Sequence, residues 1–436
     1  MTLDTTAPES LTETAWATAQ FGLSLNNNDD TVSGSRVTDL VLPGLRRNPR
    51  RAHLLVSTVL GKHLPTDPAL VRAAADALAD QVIDALGVDA SSDAVVLGFA
   101  ETATGLGHAV AARMGAACYL HSTRRHTPGV PSIGGFEEGH SHATSHMLQP
   151  TSADLLATSA PLVLVDDEIS TGATAVDAIR ALHALAPRDR YVVASLVDMR
   201  EAVHRAAVDD AAAELGVRID HVALAVGRTV VPDGLTAEVT ALDAPALNPT
   251  YDGWRGDVTF VPVTWPDRLP DGGRYGALRR ETDAFGAAAA TAADTIASQL
   301  DTNRPVIVVG HEELMYLPLC LAEALAKEGF VVRYQSTTRS PAYVHDDPGY
   351  PLRRGFEFHA PEPDTIAPRY LYNATWPESN VPPAQLLLVI DTPADTDELR
   401  SAGGLLDVLT AAGQDVVVAV VPATDHHVLT AARDNR

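Results

Sequence analysis

Cysteine and long apolar runs are scarce in this chain of 436 residues, and each shortage excludes a class of protein. The cysteines, Cys118 and Cys320, both lie in apolar surroundings, so no disulfide framework is expected. No apolar run approaches the roughly 20 residues of a membrane helix. Residues 1–15 are polar and acidic and lack the charged and apolar regions of a signal peptide. We therefore expect a cytoplasmic protein without a membrane partner.

Positive charge is scarce as well. Lys and Arg number 32 against 56 Asp and Glu, which gives a formal net charge of −24, and the only lysines are Lys62 and Lys327. Such a surface repels nucleic acid and anionic membranes, so no nucleic-acid partner is expected. An anionic substrate would have to be met by arginines that the fold gathers locally.

The length and composition predict a soluble α/β protein of two or three domains. Apolar residues make up 46% of the chain and aromatic residues only 5%. A stretch rich in Pro, Gly and Asp, residues 231–273, is typical of a junction. We place the boundary within it, which gives domains at 1–235 and 236–436.

The most informative stretch is residues 161–179. The apolar run 162–165 is typical of a strand buried on both faces of a parallel sheet, and two acids, Asp166 and Asp167, follow it. A loop of small residues and a helix with a periodic apolar face come next. The candidate anion-binding residues of this loop are Ser170, Thr171, Gly172, Ala173 and Thr174.

The chemistry of these groups suits a sugar phosphate. Backbone N–H groups, the hydroxyls of Ser170, Thr171 and Thr174, and the positive end of the helix dipole converge where a phosphate could sit. Gly172 lets the backbone approach closely. The adjacent carboxylates can hold the vicinal hydroxyls of a ribose, or a Mg²⁺ that bridges to them. A site for a phosphate and a diol together is a site for a 5-phosphoribosyl group.

The order of strand, acid pair and Thr-Gly loop resembles the PRPP-binding motif of type I phosphoribosyltransferases. The resemblance implies a Rossmann-like parallel sheet, PRPP as a substrate and Mg²⁺ as the cofactor. Its catalytic candidates are Asp166, Asp167 and Glu168, of which Asp166 and Asp167 would be metal ligands. From the residues alone, an ordinary strand–turn–helix with solvated acids at its tip is the alternative.

An earlier strand, loop and helix repeat the pattern, with the strand at residues 94–98 and the helix from Leu106 to Met114. In the resembled family the pyrophosphate loop falls here. The residues so implied are Glu101, Thr102, Ala103, Thr104 and Gly105.

Basic residues elsewhere could complete a pyrophosphate site. Arg124 and Arg125 end a short strand and are candidates for contacts with the pyrophosphate oxygens. Lys62 is a further candidate because its residue type is so rare here. The arginine-rich segment 45–51 would either place a cation near a phosphate or base or be a solvated basic turn.

A long polar segment, residues 126–146, is predicted to be a functional loop. In the resembled family a flexible loop at this position closes over PRPP and excludes water. His140, His142 and His146 leave a metal site open as an alternative to a polar lid.

The sequence of the second half resembles that of the first half, which indicates a degenerate internal repeat. Three segments match in order: residues 305–313 with 94–101, 334–340 with 119–125, and 385–391 with 161–167. The copy has lost the phosphoribosyl chemistry, because Ile390 replaces Asp166 and Pro393 removes an N–H from the loop. We therefore predict a second, degenerate phosphoribosyltransferase-like α/β domain.

The second half also contains the sequence Thr-Arg-Ser-Pro at 338–341. A phosphoribosyltransferase-like domain followed by this motif resembles a bacterial two-domain family whose second part is called the TRSP domain, associated with tellurium-resistance and stress gene clusters. Candidate residues of this half are His311, Glu312 and Arg339. They would bind a second ligand or cover the first site, unless the half is a relic scaffold.

The resemblance implies Mg²⁺-dependent transfer of the 5-phosphoribosyl group of PRPP to a nucleobase-like or other small acceptor, with release of pyrophosphate. A homodimer is possible on this scaffold. One alternative is a non-catalytic sensor of PRPP or a nucleotide. Another is a PRPP-making diphosphokinase, but those enzymes have the PRPP motif in the second half.

Overall fold

The computed structural model describes residues 15–28, 35–137, 145–251, 253–362, 367–376 and 382–434. The strands are β1 (Ser24–Asn27), β2 (Val41–Leu45), β3 (His53–Ser57), β4 (Val95–Gly98), β5 (Cys118–His121), β6 (Gly134–Glu137), β7 (Ser145–Leu148), β8 (Leu162–Ile169), β9 (Arg190–Asp198), β10 (Arg218–Val230), β11 (Val258–Pro262), β12 (Ala277–Leu278), β13 (Val306–Gly310), β14 (Val332–Ser336), β15 (Gly355–His359), β16 (Pro368–Tyr372), β17 (Gln385–Asp391) and β18 (Val416–Val421).

The α-helices alternate with the parallel strands. They are α1 (Trp16–Phe21), α2 (Val37–Leu40), α3 (Pro68–Leu86), α4 (Val88–Asp93), α5 (Thr104–Met114), α6 (Ala173–Leu185), α7 (Ala202–Leu215), α8 (Leu235–Ala241), α9 (Thr282–Ala297), α10 (Tyr316–Lys327), α11 (Asp397–Arg400), α12 (Leu405–Ala411) and α13 (His426–Asp434). Among the described residues, none of the helices combines the length and apolar composition that crossing a bilayer requires.

The first sheet has the strand order β1-β10-β9-β8-β4-β5-β12. Its five inner strands are parallel, and β1 and β12 pair antiparallel at the edges. From β4 the chain moves through α5 to β5, whereas from β8 it moves through α6 to β9 on the other side. The order therefore reverses between β4 and β8. In an open α/β sheet such a reversal leaves a crevice at the carboxyl ends of the strands, where ligands bind.

The apolar run 162–165 forms the predicted buried strand, and its alternating side chains explain the two helical layers. Val163 and Val165 share a core cluster with Leu106 of α5. Leu162 and Leu164 share another cluster with residues of α6. The strand is longer than predicted and continues to Ile169, so the acids lie on the strand itself.

The second sheet repeats the topology of the first. Its order is β11-β18-β17-β13-β14 and all its strands are parallel. Taken in chain order, β13, β14, β17 and β18 occupy the places of β4, β5, β8 and β9. An antiparallel ribbon precedes the third strand of each set, β6–β7 in one half and β15–β16 in the other. The predicted repeat is confirmed at the level of topology.

Each half lends a segment to the edge of the other half's sheet. Thr66 pairs antiparallel with Tyr334 of β14, and the amide of Ser336 donates to the carbonyl of Gly61. In return, the amide of His121 donates to the carbonyl of Gly273, and β12 pairs with β5. The exchange brings the carboxyl ends of the two sheets together.

Gly61 is one position where this exchange requires glycine. Its φ is +72°, and a Cβ would lie 2.5 Å from a ring carbon of Tyr334. Gly115 is a matched control, because its φ is +62° but a Cβ there would meet nothing within 4 Å.

We expect Gly115→Ala to lower the free energy of unfolding by about 1–2 kcal/mol, the cost of a left-handed backbone. Gly61→Ala should cost about 2 kcal/mol more, because the added carbon overlaps the tyrosine ring. Denaturant unfolding of both variants measures the difference. Equal losses would contradict the described approach of Gly61 to β14.

Candidate functional site

The acid pair at the end of β8 is half-buried and close together. The amide of Asp167 donates a hydrogen bond of 2.9 Å to Oδ1 of Asp166. Burial, reinforced by the charge of Asp167, raises the pKa of Asp166 well above its usual range. A cation or a pair of hydroxyl donors would relieve this repulsion, so the pair suits a metal ion or a diol.

Glu168 is held by the hairpin formed by β2 and β3. Arg51, which precedes β3, donates to Oε1 of Glu168 at 2.9 Å and to Nε2 of His53 at 2.9 Å. Burial raises the pKa of Glu168, although Arg51 opposes the rise. Burial and the charge of Arg51 lower the pKa of His53 to about 4, so His53 is neutral near pH 7. Within the arginine-rich segment, sequence reasoning did not single out Arg51.

The loop after β8 leads into a helix whose N-cap residue has no capping side chain. Helix α6 begins at Ala173, and Gly172 is its N-cap. The hydroxyl of Thr171 accepts from the amide of Ala173 at 3.3 Å. Gly172 has φ +83°, and a Cβ there would lie 3.2 Å from Val208. The predicted residues from Ser170 to Thr174 thus form one turn whose N–H groups can bind an anion.

The loop after β4 follows the strand next to β8, so it lies on the other side of the crevice. Lys62 donates to the hydroxyl of Thr102 at 2.6 Å, and its charge also acts on Glu168. The structure therefore places the amine of Lys62 at this loop. Helix α5 begins at Thr104, earlier than the predicted Leu106, so Thr104 and Gly105 belong to its first turn. Ala103 is fully buried.

The second half of the chain covers the outer side of the β4 loop. The carboxylate of Glu101 accepts from the hydroxyl of Thr338 at 2.5 Å and from the amide of Arg339 at 3.0 Å. A Cβ on Gly105 would lie 2.8 Å from Cβ of Met315, so this glycine serves the approach of the second half. Sequence reasoning implied an anion cradle here and missed these partners.

The reverse contact joins the second half to the first. Glu313 accepts from the hydroxyl of Thr123 at 2.7 Å, from the amide of Arg124 at 2.8 Å, and from Arg274 at 3.2 Å. Burial alone would raise the pKa of Glu313, but nearby positive charges, of which Arg274 is the strongest, lower it to about 2. Glu313 is therefore a buried, charged link between the halves.

The two arginines predicted to bind pyrophosphate have separate environments. Arg125 is nearly buried and donates to Asp391 and Glu362, at 2.6 Å each. Both partners belong to the second half, so Arg125 is not assigned to the candidate site. Arg124 reaches the ribbon and lies 3.5 Å from Nε2 of His146.

The candidates of the second half come together, but their charges are already paired. Ligand atoms of His311, Glu312 and Glu362 lie within 4.8 Å of one another, a spacing that could hold a metal ion. Arg339 and Arg369 both bind Glu312, however, and Arg125 binds Glu362. The guanidinium groups supply the positive charge that a cation would bring.

The predicted lid, residues 126–146, includes β6 and the start of β7. His146 bonds the hydroxyl of Ser122 at 2.7 Å and stacks on Phe136, so it is held within the protein. His140 and His142 lie outside the described residues. The lid and its metal alternative stay predictions.

Two family models match successive parts of the chain. A family model described as a phosphoribosyl transferase, PRTase_2, matches residues 40–228. A second model, described as the TRSP domain C-terminal to PRTase_2, matches residues 271–409. No curated protein shows a significant match to the chain.

Three solved structures illustrate the structural similarity. Adenine phosphoribosyltransferase from Rhodothermus marinus is 18% identical, with 42% of this chain and 94% of that chain covered and a TM-score of 0.30. The Trypanosoma brucei adenine enzyme, solved with AMP, pyrophosphate and ribose-5-phosphate, is 15% identical, with 47% and 86% covered and a TM-score of 0.33. Orotate phosphoribosyltransferase from Aeropyrum pernix is 21% identical, with 42% and 87% covered and a TM-score of 0.26.

The raised pKa of Asp166 predicts a stability cost at neutral pH. Between the usual Asp pKa near 4 and the raised value, the folded state binds more protons than the unfolded state, so the free energy of unfolding falls as pH rises. Asp166→Asn cannot ionise, and we expect it to be more stable than the wild type at pH 8 by about 1 kcal/mol or more. The gain should vanish towards pH 4.

Denaturant unfolding over this pH range checks the prediction. Asp177→Asn is the control, because Asp177 lies on α6 with an exposed side chain 3.9 Å from Arg180, and it should show no such gain. An Asp166→Asn variant no more stable than the wild type at pH 8 would contradict the described environment.

Proposed function

We propose that this chain, which belongs to the two-domain family in which a TRSP domain follows a phosphoribosyl transferase domain, transfers the 5-phosphoribosyl group of PRPP to a nucleobase-like or other small acceptor and releases pyrophosphate. One observation supports this most strongly: an acid pair, a helix N-terminus with a glycine N-cap and a loop bonded by Lys62 lie on the two strands that flank the reversal of strand order, β4 and β8.

Each part of PRPP has a complementary group at this edge. The amides and hydroxyls from Ser170 to Thr174 would bind the 5-phosphate, as helix N-termini bind anions. Asp166 and Asp167 would accept hydrogen bonds from the ribose hydroxyls. Thr102, Lys62 and the backbone of the β4 loop would bind the pyrophosphate.

The acid pair also fits Mg²⁺, which prefers carboxylate oxygens and retained water as ligands. The pKa of Asp166 is raised because burial and the charge of Asp167 disfavour its ionised form, which a bound cation would stabilise. Asp166 and Asp167 would hold the ion, which when bound would neutralise charge on the ribose-pyrophosphate. The fit rests on the donor chemistry of these carboxylates.

The reaction breaks the bond between C1 of the ribose and the pyrophosphate oxygen and forms a bond from C1 to the acceptor nucleophile. Positive charge develops at C1, and the carboxylates beneath the ribose would stabilise it. The electron pair leaves with pyrophosphate, whose charge Lys62 would offset. A nitrogen acceptor must lose a proton, and Glu168 is the candidate base because burial raises its pKa above the usual value.

A non-catalytic sensor of PRPP or a nucleotide is the second candidate. The bonds from Thr338 and Arg339 to Glu101 favour it, because they connect the pyrophosphate loop to the other half of the chain. Occupancy of the loop would then be transmitted to the second domain.

Pyrophosphate release from PRPP with Mg²⁺, measured against a panel of free bases and small amines, tests the proposal. We expect acceptor-dependent release that Asp167→Asn lowers by about tenfold or more, because one of the charges that stabilise the transition state is lost. Asp177→Asn, with its exposed side chain on α6, should keep the wild-type rate.

Equal rates in the Asp167→Asn variant and the wild type would refute the catalytic assignment. PRPP binding by calorimetry without release on any acceptor would favour the sensor. Absence of PRPP binding would contradict the transferase and a PRPP sensor, and would leave only a sensor of another nucleotide.

A further inference from the structure

The two halves hold each other's loops through the same set of contacts, but only one of these loops belongs to the proposed site. Glu101 follows β4 as Glu313 follows β13, each three positions after a glycine. Thr123 and Thr338 likewise follow the equivalent strands β5 and β14. Each glutamate accepts from the threonine hydroxyl of the other half and from the next amide along the chain.

The contact on Glu101 is buried and bonds both of its carboxylate oxygens. The hydroxyl of Thr338 and the amide of Arg339 both donate to Oε1, and the same amide lies 3.2 Å from Oε2. Glu101 itself is only 7% exposed. A buried carboxylate depends on such partners, because removing one leaves its charge incompletely paired.

The donors are fixed in their own half. The backbone of Thr338 pairs in both directions with Tyr370 of β16, at 2.9 and 2.8 Å. The side chain of Arg339 donates to Glu312, which Arg369 of β16 binds as well. The Thr-Arg-Ser-Pro segment is therefore a rigid donor to the first half.

The accepting end leads directly into the loop that would bind pyrophosphate. The backbone carbonyl of Glu101 accepts from the hydroxyl and from the amide of Thr104, at 3.1 and 3.4 Å, at the start of α5. The next residue, Thr102, accepts from Lys62. Movement of Glu101 would shift both the helix start and the lysine partner.

We propose that Thr338 and Arg339 of the Thr-Arg-Ser-Pro motif are positioning residues for the pyrophosphate loop, so that the second domain completes the first domain's site from outside it. The assignment of this loop to pyrophosphate rests on the proposed function. The motif contributes through Glu101 and needs no contact with the substrate.

The reciprocal contact provides a matched control. Thr123 donates to the buried Glu313 with the same chemistry, but that glutamate belongs to the degenerate half. Thr123→Val and Thr338→Val each remove one hydroxyl from one buried carboxylate. If these contacts served only to hold the halves together, the two variants would affect the β4 loop equally.

The test compares the full-length wild type with Thr338→Val, Thr338→Ser and Thr123→Val. Hydrogen exchange without ligand is followed at the amides of Ala103 and Thr104, which donate to the carbonyls of Phe99 and Glu101. We expect Thr338→Val to speed this exchange roughly tenfold or more, and to raise KM for PRPP by a similar factor with a smaller change in kcat. Thr338→Ser should restore both quantities, whereas Thr123→Val should leave the exchange at these amides unchanged.

Unchanged exchange at Ala103 and Thr104 in Thr338→Val would overturn the inference, whatever the activity. An equal rise in Thr123→Val would overturn it too, because the contact would then serve only to hold the halves together. If the wild type neither binds nor converts PRPP, the proposed function fails, while the exchange data still decide whether the motif positions the loop.

Discussion

Two buried glutamates, Glu101 and Glu313, set the relation between the halves of this protein. A carboxylate taken out of water must be paired or bonded, and each of these is bonded by a threonine hydroxyl and a backbone amide from the other half. Their contacts join the loops that follow β4 and β5 in the first sheet to those that follow β13 and β14 in the second. The second half also covers the β4 loop, and the two halves exchange short segments at the edges of their sheets.

The two halves differ in how the acids at their strand ends are paired. Asp391 at the end of β17 is neutralised by Arg125 from the first half. In the repeat Ser340 corresponds to Arg125, so an uncharged residue stands where the second half would supply a guanidinium. The first half retains a carboxylate pair in which burial, reinforced by the charge of Asp167, raises the pKa of Asp166. The acid cluster of the second half is paired with an arginine of the first half, whereas the acid pair of the first half suits a ligand.

Much of the fold follows from local sequence signals. Apolar runs predicted β8 and β17, and the order of similar segments predicted two sheets of the same topology. The partners of polar side chains did not follow, because they depend on contacts between distant residues. Glu101 and Thr338 are 237 positions apart, and Arg125 and Asp391 are 266 apart. Periodicity predicts which face of an element is buried, but not which charge lies opposite.

The central claim is that PRPP binds in the first half, between the β4 loop and the acids of β8. The two lysines of the chain allow a direct test, because Lys62 bonds Thr102 of the β4 loop and Lys327 is exposed in the last turn of α10. Acylation of the wild-type protein, followed by mass spectrometry, measures the accessibility of each amine. We predict that PRPP with Mg²⁺ protects Lys62 and leaves Lys327 unchanged. Equal labelling of Lys62 with and without PRPP would contradict the account.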